Sequence, residues 1–263
     1  MSQAAGTTTP GRIGYEVNEG IAWITFDRSE ARNALSATMY TDLVRTSAWA
    51  DEDPAVRAIV FSGRGGNFVA GADIGEFLEF QDGEDGLRYE ERQRINIASL
   101  AKIAKPTISA VDGYAVGGGM SIASVSDIRI CTKNANFGYP TARTIGNCLD
   151  VHGYALLVAM VGEPRAKDLL IQARMMGAEE ALACGYVSEI VSENQLLERA
   201  GEIARRVARN APLTIYAAKE SIRRIREVSL PSTDDIIQEV YGSEDFREGV
   251  LAFSEKRRPR WRQ

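Results

Sequence analysis

The sequence predicts an α/β protein in which strands alternate with helices up to about residue 150, after which helices dominate. Three predicted strands, an apolar run at 58–61, a buried-type strand at 107–111 and a further strand at 127–131, are separated by stretches of helical composition. Such alternation implies βαβ units and a largely parallel sheet. Hydrophobic residues make up 44% of the 263 residues, which suits a chain with a large buried core.

The individual elements follow in chain order from local signals. Residues 14–17 and 21–26 flank a turn signal at 18–20 and predict an opening hairpin. Ser36 is expected to cap a helix that ends near Trp49. Further helices are expected at 84–104, 120–125, 153–161, 164–173, 178–183, 193–209, 212–228, 234–241 and 245–256, with a short strand or extended link at 185–191.

Composition and charge exclude several classes of function. The net charge of −5 argues against a nucleic-acid binder, and no apolar run approaches the roughly 20 residues of a membrane span. Residues 1–12 lack the apolar stretch of a signal peptide and are expected to form a disordered tail. Residues 254–263 carry five basic residues and one acidic residue, which indicates either a solvated terminus or an anion-binding element.

The chain has three cysteines and a single histidine, His152. The cysteines are widely spaced, so neither a disulfide framework nor a structural zinc site is expected, and a reducing, cytoplasmic setting is favoured. A zinc motif of the H-E-x-x-H type needs two histidines. We therefore expect any chemistry to use carboxylates, hydroxyls or backbone groups, without a metal ion.

Two glycine-containing turns follow predicted strands, at residues 68–74 and 113–120. Both lie beyond the carboxyl ends of strands, where open α/β sheets bind ligands. A turn that enters a helix leaves N–H groups unpaired, and two such groups that converge on one point form an oxyanion hole. The alternative is that these glycines only allow close packing between a helix and a strand.

Five segments of the sequence occur in an order that is typical of one protein family. They are residues 27–36, 61–63 with 67–74, 110–119 with 126–129, 137–140, and 252–257. Together these segments resemble the motifs of the enoyl-CoA hydratase/isomerase (crotonase) family, and the resemblance extends from about residue 14 to residue 258. No single segment is specific, but the ordered set is.

The resemblance implies a crotonase-like spiral of ββα units with a helical C-terminal trimerisation region. We expect the spiral core over residues 13–200 and the helical region over 201–263. It also implies a homotrimer or a dimer of trimers that acts on acyl-CoA thioesters. Coenzyme A is then part of the substrate, and no permanently bound cofactor is expected.

By motif position, the resemblance assigns the oxyanion-hole donors to the backbone N–H groups of Ala72 and Gly118. Coenzyme A is expected to contact a larger set of residues, namely Arg28, Ala31, Arg32, Ala34, Ala70, Ala72, Asp73, Ile74, Gly118, Phe253 and Lys256, the last two often supplied by a neighbouring subunit. The acyl pocket is expected to include Ser121, Tyr139, Thr141 and Leu149.

The two glutamates of the family's hydratases fall, by the resemblance, on Ser121 and Thr141, which do not titrate near neutral pH. Asp150 is the leading replacement, as a general base or nucleophile, although it also suits the N-cap of the helix that follows. His152 is either a proton carrier or a surface residue. Because the two are only two positions apart, we expect that they do not face each other on one helix.

Other side chains near this region are weaker candidates. Glu76 and Glu79 belong to a charged segment, 76–94, that often covers the acyl pocket in this family and is usually mobile. Solvated surface is the favoured interpretation for both. A structural ion pair is favoured for Arg143 and a packed small side chain for Cys148.

The sequence thus favours an enzyme that stabilises a thioester enolate and moves a proton, with double-bond isomerisation as the simplest reaction that needs one carboxylate. Hydration by a nonstandard acid/base pair is the alternative, followed by decarboxylation, dehalogenation and C–C hydrolysis. A catalytically weak acyl-CoA binding subunit is an alternative of another class. Nucleic-acid binding through the basic tail is disfavoured by the acidic remainder of the chain.

Overall fold

The structure, a computed structural model, describes residues 11–226, 230 and 232–261. Its strands are β1 (Arg12–Asn18), β2 (Ile21–Asp27), β3 (Ala58–Gly63), β4 (Thr107–Val111), β5 (Tyr114–Val116), β6 (Ile128–Thr132), β7 (Asn136–Gly138), β8 (Met176–Gly177) and β9 (Glu189–Val191). Its α-helices are α1 (Ala37–Glu52), α2 (Gly83–Ala101), α3 (Gly118–Val125), α4 (Val151–Val161), α5 (Glu163–Ile171), α6 (Ala178–Ala183), α7 (Leu196–Val207), α8 (Pro212–Arg226), α9 (Asp234–Tyr241) and α10 (Glu244–Ser254). Short 3-10 helices occupy Ser29–Ala31, Ile74–Glu79, Thr141–Arg143 and Glu193–Gln195.

Each strand and helix predicted from the sequence has a counterpart here, with ends that differ by a few residues. Of the tail expected over residues 1–12, residues 1–10 lie outside the described residues. The expected boundary at residue 12 differs from the structure, because β1 already begins at Arg12. Val228, the expected end of α8, also lies outside the described residues. Ser36 caps α1 as predicted, because its side chain accepts a hydrogen bond from the Met39 N–H.

The larger sheet has the strand order β1-β2-β3-β4-β6-β9. The first pair is antiparallel and each following pair is parallel, which confirms the largely parallel sheet. Both faces of β3 and β4 are buried, as their continuous apolar runs predict. One face packs against α7 through Ala200 and Ile203, and the other belongs to the main core with α1 and α3.

A second sheet, with the order β5-β7-β8, was not predicted. Its strands have three, three and two residues, which is too short for a hydrophobic period to appear. A bridge from Val69 to Ala115 in β5 connects the first glycine turn to this sheet. The second sheet therefore fixes the region between β3 and α3, where the site was expected.

The C-terminal helices fold back over the N-terminal part of the chain. Phe77, Tyr89, Tyr241 and Phe246 form an aromatic cluster in which α9 and α10 meet α2 and the 3-10 helix Ile74–Glu79. In contrast, α8 has no buried residue. Among the helices of the described ranges, none combines the length and apolar character that crossing a membrane demands.

Candidate active site

One cavity of about 1120 Å³ collects the residues that the sequence assigned to the site. The structure places all of the following on its lining: Arg28, Ala31, Arg32, Ala34, Ala70, Ala72, Asp73, Ile74, Gly118, Ser121, Tyr139, Thr141, Leu149, Asp150, His152, Phe253 and Lys256. Phe253 and Lys256 reach this cavity from the same chain. Arg143 also lines it, whereas the lining does not include Glu76, Glu79 or Cys148.

Backbone hydrogen bonds bring the two glycine turns together. The Val69 N–H donates to the Tyr114 carbonyl at 2.8 Å, and the Val116 N–H donates to the Val69 carbonyl at 2.9 Å. The turns touch, since a Cβ added at Gly117 would lie 3.9 Å from the Cα of Gly71. Gly117 has a φ of +53°, which only glycine adopts at low cost.

Ala72 and Gly118 present their N–H groups in this region. On either side of Ala72, the Gly71 carbonyl accepts from the Leu35 N–H and the Asp73 N–H donates to the Leu35 carbonyl, so the turn is fixed at both flanks. Gly118 is the first residue of α3, where helical N–H groups have no partner within the helix. Among the described residues, neither the Ala72 nor the Gly118 N–H has a backbone acceptor.

The loop before α1 is held by one buried amide side chain, Asn33. Its Nδ2 donates to the carbonyls of Arg64 and Asn67, and its Oδ1 accepts from the Arg28 N–H at 2.8 Å. The Arg28 guanidinium in turn contacts Asp73 Oδ2 at 2.7 Å. Two residues expected to contact coenzyme A, Arg28 and Asp73, are therefore an ion pair at the edge of the cavity.

Asp150 is both the N-cap of α4 and the partner of the single histidine. Its Oδ1 accepts from the Gly153 N–H at 2.8 Å, and its Oδ2 lies 2.9 Å from His152 Nδ1. The expectation that the two side chains do not face each other was wrong. Asp150 precedes the helix in an extended conformation, with φ of −71° and ψ of 169°, so the spacing rule for residues within a helix does not apply.

The sequence did not single out Glu90, a carboxylate on the lining of the same cavity. Only 5% of Glu90 is exposed. Its Oε1 accepts from the Tyr241 hydroxyl at 2.5 Å, and its Oε2 accepts from the Asp150 N–H at 3.1 Å. Burial, with a smaller contribution from the charge of Asp150, raises the pKa of Glu90 to about 7.

The burial of Glu90 follows from close packing between α2 and α9. A Cβ at Gly86 would lie 2.2 Å from the Tyr241 ring, and one at Gly83 would lie 2.3 Å from the Gln238 carbonyl oxygen. Residues 83, 86 and 90 share one face of a helix. Two glycines at this spacing were the signal in the sequence that this face of α2 is covered, rather than solvated.

The charged segment 76–94 is ordered by local contacts. Asp82 and Asp85 form a capping box at the start of α2, and Glu76 is paired with Arg92. Glu76 and Glu79 are not part of the cavity lining; Glu79 is exposed, whereas Glu76 is half-buried in its ion pair with Arg92. Cys148 is buried, and burial raises the pKa of its thiol to about 12, which leaves it unreactive.

The inner part of the cavity also contains hydroxyl groups. Ser121 Oγ and the Tyr139 hydroxyl are 2.9 Å apart. The Tyr40 hydroxyl is buried without a hydrogen-bond partner in the described part of the chain, and it lies against Gly118. A Cβ added at Gly118 would meet it at 1.9 Å. The glycine therefore leaves space for the Tyr40 hydroxyl beside the N–H of residue 118.

Comparison with known proteins decides the family. The profile described as enoyl-CoA hydratase/isomerase matches residues 16–263. The chain belongs to the enoyl-CoA hydratase/isomerase family. The crotonase-type enzymes to which it is similar include the mevalonyl-coenzyme A hydratase of Aspergillus fumigatus, with 31% identity over 100% of this chain and 98% of that protein. The carnitinyl-CoA dehydratase of Escherichia coli O157:H7 is 33% identical over 93% of this chain and 96% of that protein.

Solved structures of this family support the same assignment. A methylmalonyl-CoA decarboxylase in complex with 2-nitronate-propionyl-CoA has a TM-score of 0.87 and 28% identity, covering 95% of this chain and 98% of that chain. An enoyl-CoA hydratase/isomerase from Xanthobacter autotrophicus Py2 has a TM-score of 0.83 and 26% identity, covering 94% and 97%. The crotonase-like fold predicted from the sequence is thus confirmed. The chain is a CoA-thioester enzyme of this family.

Proposed function

We propose that this protein stabilises the enolate of an acyl-CoA thioester with the N–H groups of Ala72 and Gly118 and moves a proton with Asp150. The observation that carries the proposal is the meeting of two unpaired N–H groups and a helix-capping carboxylate on one cavity. Double-bond isomerisation is the reaction that this arrangement supports best.

The physical reason lies in the acidity of the thioester. Its α-carbon loses a proton readily only when the negative charge that develops on the thioester oxygen is stabilised. Each fixed N–H donor contributes about 3–4 kcal/mol to such a transition state, to judge from the loss of one donor elsewhere. A carboxylate within the cavity then acts as the base, a role that Ser121 and Thr141 cannot fill.

Hydration is the second candidate, because several similar proteins are named for it. The relatives include a mevalonyl-coenzyme A hydratase and a short-chain-enoyl-CoA hydratase of Clostridium acetobutylicum, the latter 33% identical over 90% of this chain and 92% of that protein. Water addition needs an acid and a base on the two sides of the double bond. With serine and threonine at the positions that the resemblance assigns to the family's glutamates, that pair would be a nonstandard one.

Coenzyme A would be bound by residues at the cavity edge. Lys256 and Arg32 line the cavity and supply positive charge for phosphate groups, with coenzyme A entering only as part of the substrate. A homotrimer or dimer of trimers is supported by α8, where the exposed fractions of Leu213 and Ile225 are 79% and 75%. The cytoplasmic location remains a prediction.

The test is hydrogen–deuterium exchange at the α-carbon of a panel of acyl-CoA thioesters in deuterated water. We expect the wild-type protein to catalyse exchange for at least one member, and Asp150→Asn to lower that rate by about 10²–10⁴-fold. Asparagine caps a helix as well as aspartate does, so this variant keeps the N-cap while it removes the carboxylate and its charge.

Three results would contradict the proposal in different ways. Unchanged exchange by Asp150→Asn would remove Asp150 from the mechanism. Calorimetric binding of acetyl-CoA and crotonyl-CoA without exchange, hydration or isomerisation would identify a binding subunit. Failure to bind any acyl-CoA would reject both the enzyme and the binding subunit.

A further inference from the structure

Glu90 and Asp150 form a pair of carboxyl groups that share one wall of the cavity. The Glu90 Oε2 atom accepts a hydrogen bond from the backbone N–H of Asp150 at 3.1 Å, so the two residues are in direct contact. Both line the cavity, but Glu90 comes from α2 and Asp150 from the start of α4. The site therefore has a further carboxyl group besides Asp150 and Asp73, the latter of which is paired with Arg28.

The surroundings of Glu90 favour its protonated form. The titratable groups that interact with it from the packed elements are Tyr40 of α1, Tyr89 of α2, Tyr139 after β7, Cys148 and Asp150 before α4, Tyr154 of α4, and Tyr241 of α9. Within the described residues, no salt bridge joins Glu90 to a lysine or arginine. Burial and the charge of Asp150 raise its pKa to about 7, against the hydrogen bonds from the Tyr241 hydroxyl and the Asp150 N–H, which lower it.

We propose that Glu90 is the second proton-transfer residue of this cavity, which gives a proton to the acyl chain while Asp150 removes one. This inference rests on the proposed function and specifies its substrate as a thioester with a double bond beyond the α-carbon. Two carboxyl groups in different environments, one buried and one at a helix N-cap, are a usual basis for assigning an acid and a base.

The step balances for a 3-enoyl-CoA thioester. The Asp150 carboxylate takes the proton from C2, the C2–H electron pair forms the dienolate, and its oxygen lies at the N–H groups of Ala72 and Gly118. The Glu90 O–H bond then breaks, its proton bonds to C4, and the 2-enoyl thioester is formed. Asp150 is left protonated and Glu90 ionised, and transfer of one proton between them, through water, restores the starting state.

The experiment separates removal of the α-proton from delivery of the second proton. Wild-type protein and Glu90→Gln are assayed with 3-butenoyl-CoA and trans-3-hexenoyl-CoA in deuterated water, and deuterium at C2 is measured beside formation of the 2-enoyl product. We expect Glu90→Gln to retain exchange at C2 but to lower product formation by about 100-fold or more. Glutamine preserves the contacts, because its oxygen accepts from the Asp150 N–H while its amide donates to the Tyr241 oxygen.

The matched control is Glu91→Gln, an exposed glutamate one residue further along α2 that pairs with Arg94. It should leave both rates as in the wild type. Product formation by Glu90→Gln at the wild-type rate would overturn the proposal. An equal fall in the rates of C2 exchange and of product formation would also overturn it, because a purely structural role of Glu90 predicts that result. Exchange without isomerisation by the wild-type protein would overturn it as well. Absence of exchange in the wild type would instead refute the proposed function.

A second readout does not depend on turnover. The infrared band of the protonated Glu90 carboxyl group should disappear across neutrality in the wild-type protein, and this transition near neutral pH should be missing in Glu90→Gln. Tyr241→Phe removes a hydrogen bond that favours the charged form, so it should move this transition to higher pH. A wild-type protein without a carboxyl transition near neutral pH would overturn the proposal.

Discussion

Gly118 is the position where one added methyl group tests the geometry of the candidate oxyanion hole most directly. In Gly118→Ala, the new Cβ lies 1.9 Å from the Tyr40 hydroxyl oxygen and 3.2 Å from the Tyr40 Cζ. An approach below 3.0 Å forces Tyr40 or the start of α3 to move. Overpacking of this kind costs about 1–3 kcal/mol of unfolding free energy, or about 2–4 °C of Tm per kcal/mol for a domain of this size.

The second variant, Tyr40→Phe, removes the atom that causes the clash. The Tyr40 hydroxyl is buried without a partner in the described residues, and an unsatisfied buried hydroxyl costs about 1–3 kcal/mol. Tyr40→Phe alone should therefore leave stability unchanged or raise it by about 1 kcal/mol. In the double variant, the atom nearest to the methyl group added at position 118 is a ring carbon at 3.2 Å, which a small shift accommodates.

The assay is a double-mutant cycle, measured by thermal unfolding at one fixed protein concentration, because an oligomer's Tm depends on concentration. We expect the unfolding free energy of the double variant to be about 1–2 kcal/mol higher than the sum of the effects of Gly118→Ala and Tyr40→Phe predicts. Gly177→Ala is the matched control, since nothing lies within 4 Å of a Cβ added there. Additive effects in the cycle would show that Tyr40 does not occupy the space that Gly118 leaves open, and would refute the argument.

Three further predictions concern stability. Asp150→Ala should lower the unfolding free energy by about 1 kcal/mol, because the Gly153 N–H loses its capping acceptor. Asp150→Asn keeps an acceptor and should unfold at the wild-type denaturant midpoint. An equal loss of unfolding free energy in the two variants would refute the capping role of Asp150. The pKa of Glu90 is raised from 4.5 to about 7 in the folded chain, so the folded state binds more protons and the unfolding free energy should fall as pH rises through this range. In urea titrations, Glu90→Gln should remove this pH dependence of the unfolding free energy and should stabilise the chain above neutral pH by at most about 3 kcal/mol. An unchanged pH dependence in Glu90→Gln would contradict the raised pKa of Glu90. Asn33→Ala should lower the unfolding free energy by about 3 kcal/mol in the same assay, because Asn33 is fully buried and its side chain joins the loop before α1 to the segment after β3 through three hydrogen bonds.

The sequence predicted the parts of the fold that local patterns determine. The apolar runs at β3 and β4 are the signature of strands buried on both faces, and their pairing in the parallel sheet agrees with that interpretation. The second sheet escaped prediction because β5 and β7 are held by pairing with segments distant in sequence. The bridge between Val69 and Ala115 is one such contact.

The same distinction explains which site residues were found. Ala72 and Gly118 belong to turns whose glycines are visible in the sequence, and the structure places both on the cavity. Glu90 was missed because its burial depends on Tyr241, which lies 151 positions further along the chain. A single exposed-looking glutamate in a charged segment carries no local mark of such a contact. Only Gly83 and Gly86, on the same helical face, indicated that a neighbour lies close.

The two carboxyl groups also limit how pH profiles of this protein are to be interpreted. The charge of Asp150 is one cause of the raised pKa of Glu90, and the Asp150 N–H is a hydrogen-bond donor to Glu90. Replacing Asp150 by asparagine removes the like charge but keeps the N–H, so the pKa of Glu90 should fall in that variant. A change in the pH profile of Asp150→Asn consequently reports on Glu90 as well, and the infrared band is needed to assign it.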